Sequence, residues 1–145
     1  MPPVKIHFRL VQDEDSYPPV AVESVWAEPA VEPGEYVIDN VPFFAQNATI
    51  GDTVRVREEG GHRWFESMVR RSRNSLIRIA FFDRTRVEGV SQHLVSLGCS
   101  VEYSKDYNLV AVNIPDGVEL TDVQAYLQAE ANAGMLDFEE PILRQ

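Results

Sequence analysis

The stretch Asn74-Ser75-Leu76-Ile77-Arg78-Ile79-Ala80-Phe81-Phe82 decides how the chain is read. Ile77, Ile79 and Phe81 share one face of an extended segment, and Leu76, Ala80 and Phe82 share the other. Two apolar faces imply a strand covered on both sides. Downstream, Thr85-Arg86-Val87-Glu88 has the spacing of a capping box, in which a hydroxyl takes a helical N–H and the glutamate reaches back. Val87, Val90, Leu94 and Leu97 follow at helical intervals, and Gly98 supplies a left-handed stop. Cys99–Tyr103 and Leu109–Ile114 read as strands joined by a polar turn. A second box, Thr121-Asp122-Val123-Gln124, opens a helix that ends at Gly134, and Met135–Phe138 forms a last strand. The order β-α-β-β-α-β predicts a ferredoxin-like unit over residues 74–145.

Upstream, the period changes from 3.6 to two. Val4, Ile6, Phe8 and Leu10 alternate with polar neighbours, and Gln12–Pro19 is a polar loop. Val20–Glu28 reads as a strand with Val20, Val22 and Trp26 inward, and Glu35–Asn40 as a short third strand. Thr53–Arg57 and Arg63–Arg71 flank Gly60-Gly61 as a hairpin. Short strands with regular turn signals predict a small β-barrel or bent antiparallel sheet over residues 1–73. The fold class is α+β, and the two subdomains are expected to pack as one compact unit.

Charge is segregated along the chain. Residues 1–54 hold nine acids against Lys5 and Arg9 (−7), and residues 55–86 hold nine arginines against four acids (+5). Residues 87–145 hold ten acids against Lys105 and Arg144 (−8), and the whole is −10. Such a charge repels phosphate backbones and anionic lipid and steers basic partners inward. The arginine-rich middle is expected to pair with the acidic flanks. No apolar run approaches the ~18 residues of a membrane span, and the start, Met1-Pro2-Pro3-Val4-Lys5, lacks signal-peptide character. The expected compartment is the cytoplasm.

Candidate sites are sparse. His7, His62 and His93 share no ligand spacing, so no metal is expected, and no cofactor motif occurs. Cys99, at a helix-to-strand handover, reads as a core thiol rather than a nucleophile. Arg55, Arg57, Arg70, Arg71 and Arg73 with Trp64 and Phe65 could stack and pair with single-stranded nucleic acid. Alternation splits them between faces, however, and the net charge opposes phosphate, so nucleic acid is not an expected partner. Acidic residues remain: Asp13, Glu14 and Asp15 in a loop, and Asp116, Glu119 and Asp122 before the second helix. With Tyr107 they form the expected surface for a basic protein partner, and Trp26, Trp64 and Tyr103 are further aromatic anchors. The alternative is a small-molecule or enzyme pocket between the halves, using Asp39, Asn40, His62 and Arg70.

Gly34-Glu35-Tyr36-Val37-Ile38-Asp39-Asn40-Val41-Pro42-Phe43-Phe44-Ala45, with Gly51-Asp52-Thr53-Val54, resembles a bacterial family of small proteins of unknown function. Leu97–Glu102 and Leu109–Pro115 extend the resemblance, which spans about Val4 to Gly134. It implies a compact bacterial cytoplasmic protein and brings no catalytic residues with it. Families of this kind include immunity proteins that neutralise toxins, which makes a basic toxin the expected partner. On the residues alone, Asp39 or Asn40 is expected to bond nearby amides while the phenylalanines fill the core.

Overall fold

A computed structural model describes residues 2–145. The chain divides into two compact units, the first ending at Ser72 and the second running from Arg73 to Gln145.

The first unit is a meander of five strands: β1 (Val4–Arg9), β2 (Val22–Pro29), β3 (Glu35–Ile38), β4 (Thr53–Glu59) and β5 (His62–Arg70). Each neighbouring pair is antiparallel, and the sheet closes on itself where β5 pairs β1. An odd number of alternating strands leaves the first and last pointing the same way, so this closing pair is parallel, with Ile6 opposite Arg63 and His7 opposite Trp64. Gly60 and Gly61 form the β4–β5 turn with φ of 62° and 81°, the pair of positive values that a two-residue hairpin needs. Ile6, Phe8, Val25, Ala27, Ile38 and Val54 form the inner face, closed by Ala45 and Ala48 from the β3–β4 loop.

The facing of β2 departs from the alternation read in the sequence. Val25 and Ala27 point inward, whereas Val22 and Trp26 are exposed. The β1–β2 register sets Ile6 against Val25 and Lys5 against Trp26. Because the side-chain period is two, that register turns the whole odd-numbered set inward.

The second unit contains β6 (Ser75–Phe81), a 3₁₀ turn (Arg84–Arg86), α1 (Val87–Ser96), β7 (Ser100–Ser104), β8 (Leu109–Ile114), α2 (Leu120–Asn132) and β9 (Leu136–Ile142). Its four strands form an antiparallel sheet in the order β7-β8-β6-β9. Val90 and Leu94 of α1, with Val123 and Leu127 of α2, pack on Ile77, Ile79, Val110 and Val112. Every residue of β8 is buried. β6 is covered on both sides through Ile79, but Ala80 and Phe82 are exposed, and the position between Ile77 and Ile79 holds a buried charge, Arg78.

Both helix starts also differ from the expected capping boxes. Asp83, not Thr85, caps the 3₁₀ turn, its carboxylate accepting from the Thr85 amide and hydroxyl. α2 begins after Glu119, whose backbone carbonyl accepts from Asp122, with no side-chain cap. An aspartate two residues upstream of Thr85 presents its acceptor to the first free amides, and the Thr85 hydroxyl becomes a donor to it.

Candidate functional site

The outer face of the first unit carries cations seated on indoles. Lys5, His7 and Arg9 alternate outward from β1. The Lys5 ammonium lies 4.7 Å from the Trp26 ring centre, and the Arg9 guanidinium 4.0 Å from that of Trp64. Between them His7 meets His62 edge-on at 4.9 Å and Trp64 at 5.4 Å, and its Nδ1 bonds the Ser24 hydroxyl at 2.5 Å. Partial burial, then the neighbouring His62 and Lys5, hold the His7 pKa below the ordinary imidazole value. The Trp64 indole donates to the Glu59 carbonyl at 3.3 Å, which fixes the ring under Arg9.

The β3–β4 loop borders this face and is clamped from β2. The Glu23 carboxylate accepts the amides of Phe43, Phe44 and Ala45 at 2.6, 3.0 and 2.8 Å. Asn40 Oδ1 accepts the Trp26 amide at 2.5 Å. Farther along, buried Asp52 accepts the amides of Thr49 and Ser72 at 2.9 and 2.8 Å. Three amides on one carboxylate impose a single backbone course. That course turns Phe44 and Ala45 into the core and leaves Gln46 and Asn47 exposed.

Opposite this loop, residues 10–18 form the other bank of a cleft of about 450 Å³ with Phe8 and Phe44 in its floor. A smaller hollow of about 120 Å³, lined by Arg57 and Trp64, shares Phe8, Arg9 and Asn47 with it. Asp13 lines the larger hollow, and its Oδ1 accepts the amides of Asp15 and Tyr17 at 2.9 and 3.0 Å, holding the bank in a tight turn. The volume is that of an ordinary small-molecule site.

A family model described as a domain of unknown function (DUF4265) matches residues 23–138. The chain belongs to that family. Both Glu23 and the loop it clamps fall within the match. A solved structure described as a novel crystal structure of a hypothetical protein from Neisseria gonorrhoeae is similar, with a TM-score of 0.77 and 20% identity. The alignment covers 97% of this chain and 95% of that one, and at this identity the likeness is one of fold. No curated protein matches the chain.

The residues singled out from the sequence fall as follows. Asp13, Glu14 and Asp15 are exposed in the first unit. In the second, Asp116 pairs with Arg73 at 3.0 Å, and Glu119 and Asp122 are exposed at the start of α2. Tyr107 and Tyr103 are 45% and 42% exposed. Asp39 is exposed and uses its backbone amide on the Trp26 carbonyl, Asn40 serves the loop, and Arg70 ends β5 opposite Thr53. His62 contacts His7, and none of Asp39, Asn40, His62 and Arg70 lines either hollow. Burial among the second unit's core side chains pushes the Cys99 thiol up to about 11. Among the described residues, no group of three or more His, Cys, Asp or Glu could hold a metal, and no helix is long and apolar enough to cross a membrane.

Sequence spacing offers no reason to join His7 to His62, or Arg9 to Trp64. Both meetings follow from the parallel closure of β1 on β5. The one signal available was the outward alternation of Lys5, His7 and Arg9; the Lys5 partner Trp26 lies 21 residues on, and His62 and Trp64, the partners of His7 and Arg9, each lie 55 residues on.

Proposed function

We propose that the chain is a non-enzymatic binding protein whose carboxylate-rich surface docks a basic protein partner, as an immunity or antitoxin-like inhibitor would. The internal neutralisation of its arginines carries this reading. Arg55 pairs with Glu35 at 2.6 Å, Arg73 with Asp116 at 3.0 Å, Arg78 with Glu139 at 3.8 Å, and Arg86 with Glu130. Arg57 and Arg63 meet Glu59 and Glu58 at 3.3 and 3.9 Å. The basic middle is thus largely answered within the chain. The first unit retains twelve acids against seven Lys and Arg, and the second eleven against six. A residual charge of −5 on each speeds encounter with a cationic surface more than it adds affinity. Asp13, Glu14 and Asp15, or Asp116, Glu119 and Asp122 with Tyr107, are the docking groups. A cytoplasmic setting suits such a role.

The test is capture from host lysate on immobilised chain at low salt. One basic protein should be retained, released as salt rises, and lost from the variant carrying Asp116→Lys, Glu119→Lys and Asp122→Lys or from that carrying Asp13→Lys, Glu14→Lys and Asp15→Lys. Retention indifferent to both charge reversals and to salt overturns the reading.

A second reading, a small-molecule-binding protein, is favoured by the cleft. Its charged and amide side chains are Arg9, Asp13, Gln46 and Asn47, with Arg57 in the adjoining smaller hollow, all within the first unit. For the folds, strand order and helix placement in the second unit support a ferredoxin-like class. The β1–β5 pairing supports a small barrel for the first.

A further inference from the structure

We propose that the cleft of the first unit binds a small amphipathic carboxylic acid. Its carboxylate lies between Arg9 and Arg57, and its apolar body runs along Leu10, Tyr17 and Phe44. The proposal rests on the small-molecule reading and gives that reading a ligand class.

The two hollows share Phe8, Arg9 and Asn47 in their linings, so the two arms of the proposed site adjoin at that wall. The site's charges are graded along its length. Asp13 lines only the larger arm and Arg57 and Trp64 only the smaller, while Arg9 stands at the junction. An anionic head is therefore repelled from one arm and drawn to the other. Among the described residues, no carboxylate forms an ion pair with Arg9; its guanidinium lies over Trp64 at 4.0 Å. A stacked guanidinium uses its face on the ring and keeps its in-plane N–H fork for an anion. A carboxylate matches that fork with two parallel hydrogen bonds.

Among the described residues, Arg57 forms its ion pair with Glu59, at 3.3 Å, with both side chains well exposed. Such a surface pair is weak because water screens it, so an incoming carboxylate can replace it. Asn47 adds an amide donor on the shared wall. The larger arm wants the opposite chemistry. Its floor is the buried rings of Phe8 and Phe44, and Val11 (93% exposed) and Tyr17 (45%) stand on its bank with apolar surface that a ligand would cover. A free phosphate would make no use of that arm.

The experiment titrates the full chain with sodium decanoate below its micellar concentration. Decanol and inorganic phosphate serve as comparison probes. Calorimetry reads affinity, and fluorescence of a Trp26→Phe variant reports Trp64 alone. Decanoate should bind one to one and perturb Trp64, and decanol should bind at least about tenfold more weakly, the usual weight of a charge-assisted hydrogen bond. Arg9→Met should weaken decanoate by at least about tenfold, and Arg57→Met by less. If circular dichroism shows Arg9→Met unfolded, Arg57→Met and the decanoate-to-decanol ratio decide. Equal binding of decanol and decanoate overturns the acid class while leaving the cleft reading standing. Binding of neither removes both. Phosphate that binds as tightly as decanoate, with the same dependence on Arg9, reduces the site to a simple anion contact and overturns the proposal.

Discussion

The two units fold by different means. In the second, two helices cover a sheet face, and thirteen buried residues from β6 to β9 form one continuous apolar cluster. In the first, a smaller cluster of eight is supplemented by carboxylates that grip the backbone. Glu23 holds three amides and Asp52 two, and the loop so held forms one bank of the open cleft. A dry core tolerates few openings, because every lost contact goes uncompensated. A loop fixed by polar clamps can stand beside a hollow without that penalty. The unit with the weaker apolar core is thus the one able to present a site.

The sharpest test of this contrast is truncation on each side. Leu127 is fully buried between α2 and the sheet, so Leu127→Ala should cost about 2–5 kcal/mol, read by urea denaturation. Glu23→Ala leaves three amides of a half-buried loop without their acceptor and should cost about 2–3 kcal/mol. The outcomes should differ in kind as well as size. The first change should lower stability without touching the cleft. The second should also release Phe44 and raise amide exchange through residues 43–45. If Glu23→Ala leaves exchange there unchanged, the clamp is not what holds the loop.

The same contrast separates what was legible in the sequence from what was not. Segments whose partners lie nearby could be read. Leu109–Ile114 is apolar but for Asn113, Val4–Arg9 alternates cleanly, and Gly60-Gly61 and Gly98 mark their turns. Ser24–Ala27 offers apolar residues to both faces, so only pairing with Ile6 decides that Val25 goes in and Trp26 out. Arg78 is buried on a strand whose neighbours Leu76, Ile77 and Ile79 are also buried, and its guanidinium reaches Glu139 at 3.8 Å, 61 residues onward. The candidate site was least visible. Glu23 meets its loop across twenty residues, and Arg9 meets Trp64 across 55. No local period encodes contacts of that range.

Gly98 probes the dry side more gently. It ends α1 with φ of +105°, and a Cβ placed there would lie 2.8 Å from a Val118 methyl carbon. Gly98→Ala therefore meets both a disfavoured backbone region and a crowded neighbour. It should cost roughly 1–2 kcal/mol, visible as a lower Tm with the cleft's ligand affinity unchanged. An alanine variant as stable as the parent would show that the α1–β7 junction has slack, and the contrast between the two units would weaken.

The smallest expected effect lies on the polar side, at His7. Burial, then His62 and Lys5, lower its pKa in the folded state. Around it stand Lys5 on its own strand, the Ser24 hydroxyl on β2, and His62 and Trp64 on β5. A lowered folded pKa means that the unfolded chain binds the proton more readily, so stability rises with pH in this window. The His7 contribution is complete above the unfolded value near 6.5 and is lost as pH falls through the folded pKa. Wild type should therefore show a shallow loss of stability from pH 6.5 downward, and His7→Gln should flatten that slope while leaving stability at pH 8 nearly unchanged. Lys5→Met should flatten it less, since Lys5 is the weakest of the three causes. A slope that persists in His7→Gln would assign the titration to another group and separate the His7–His62 contact from the stability of the first unit.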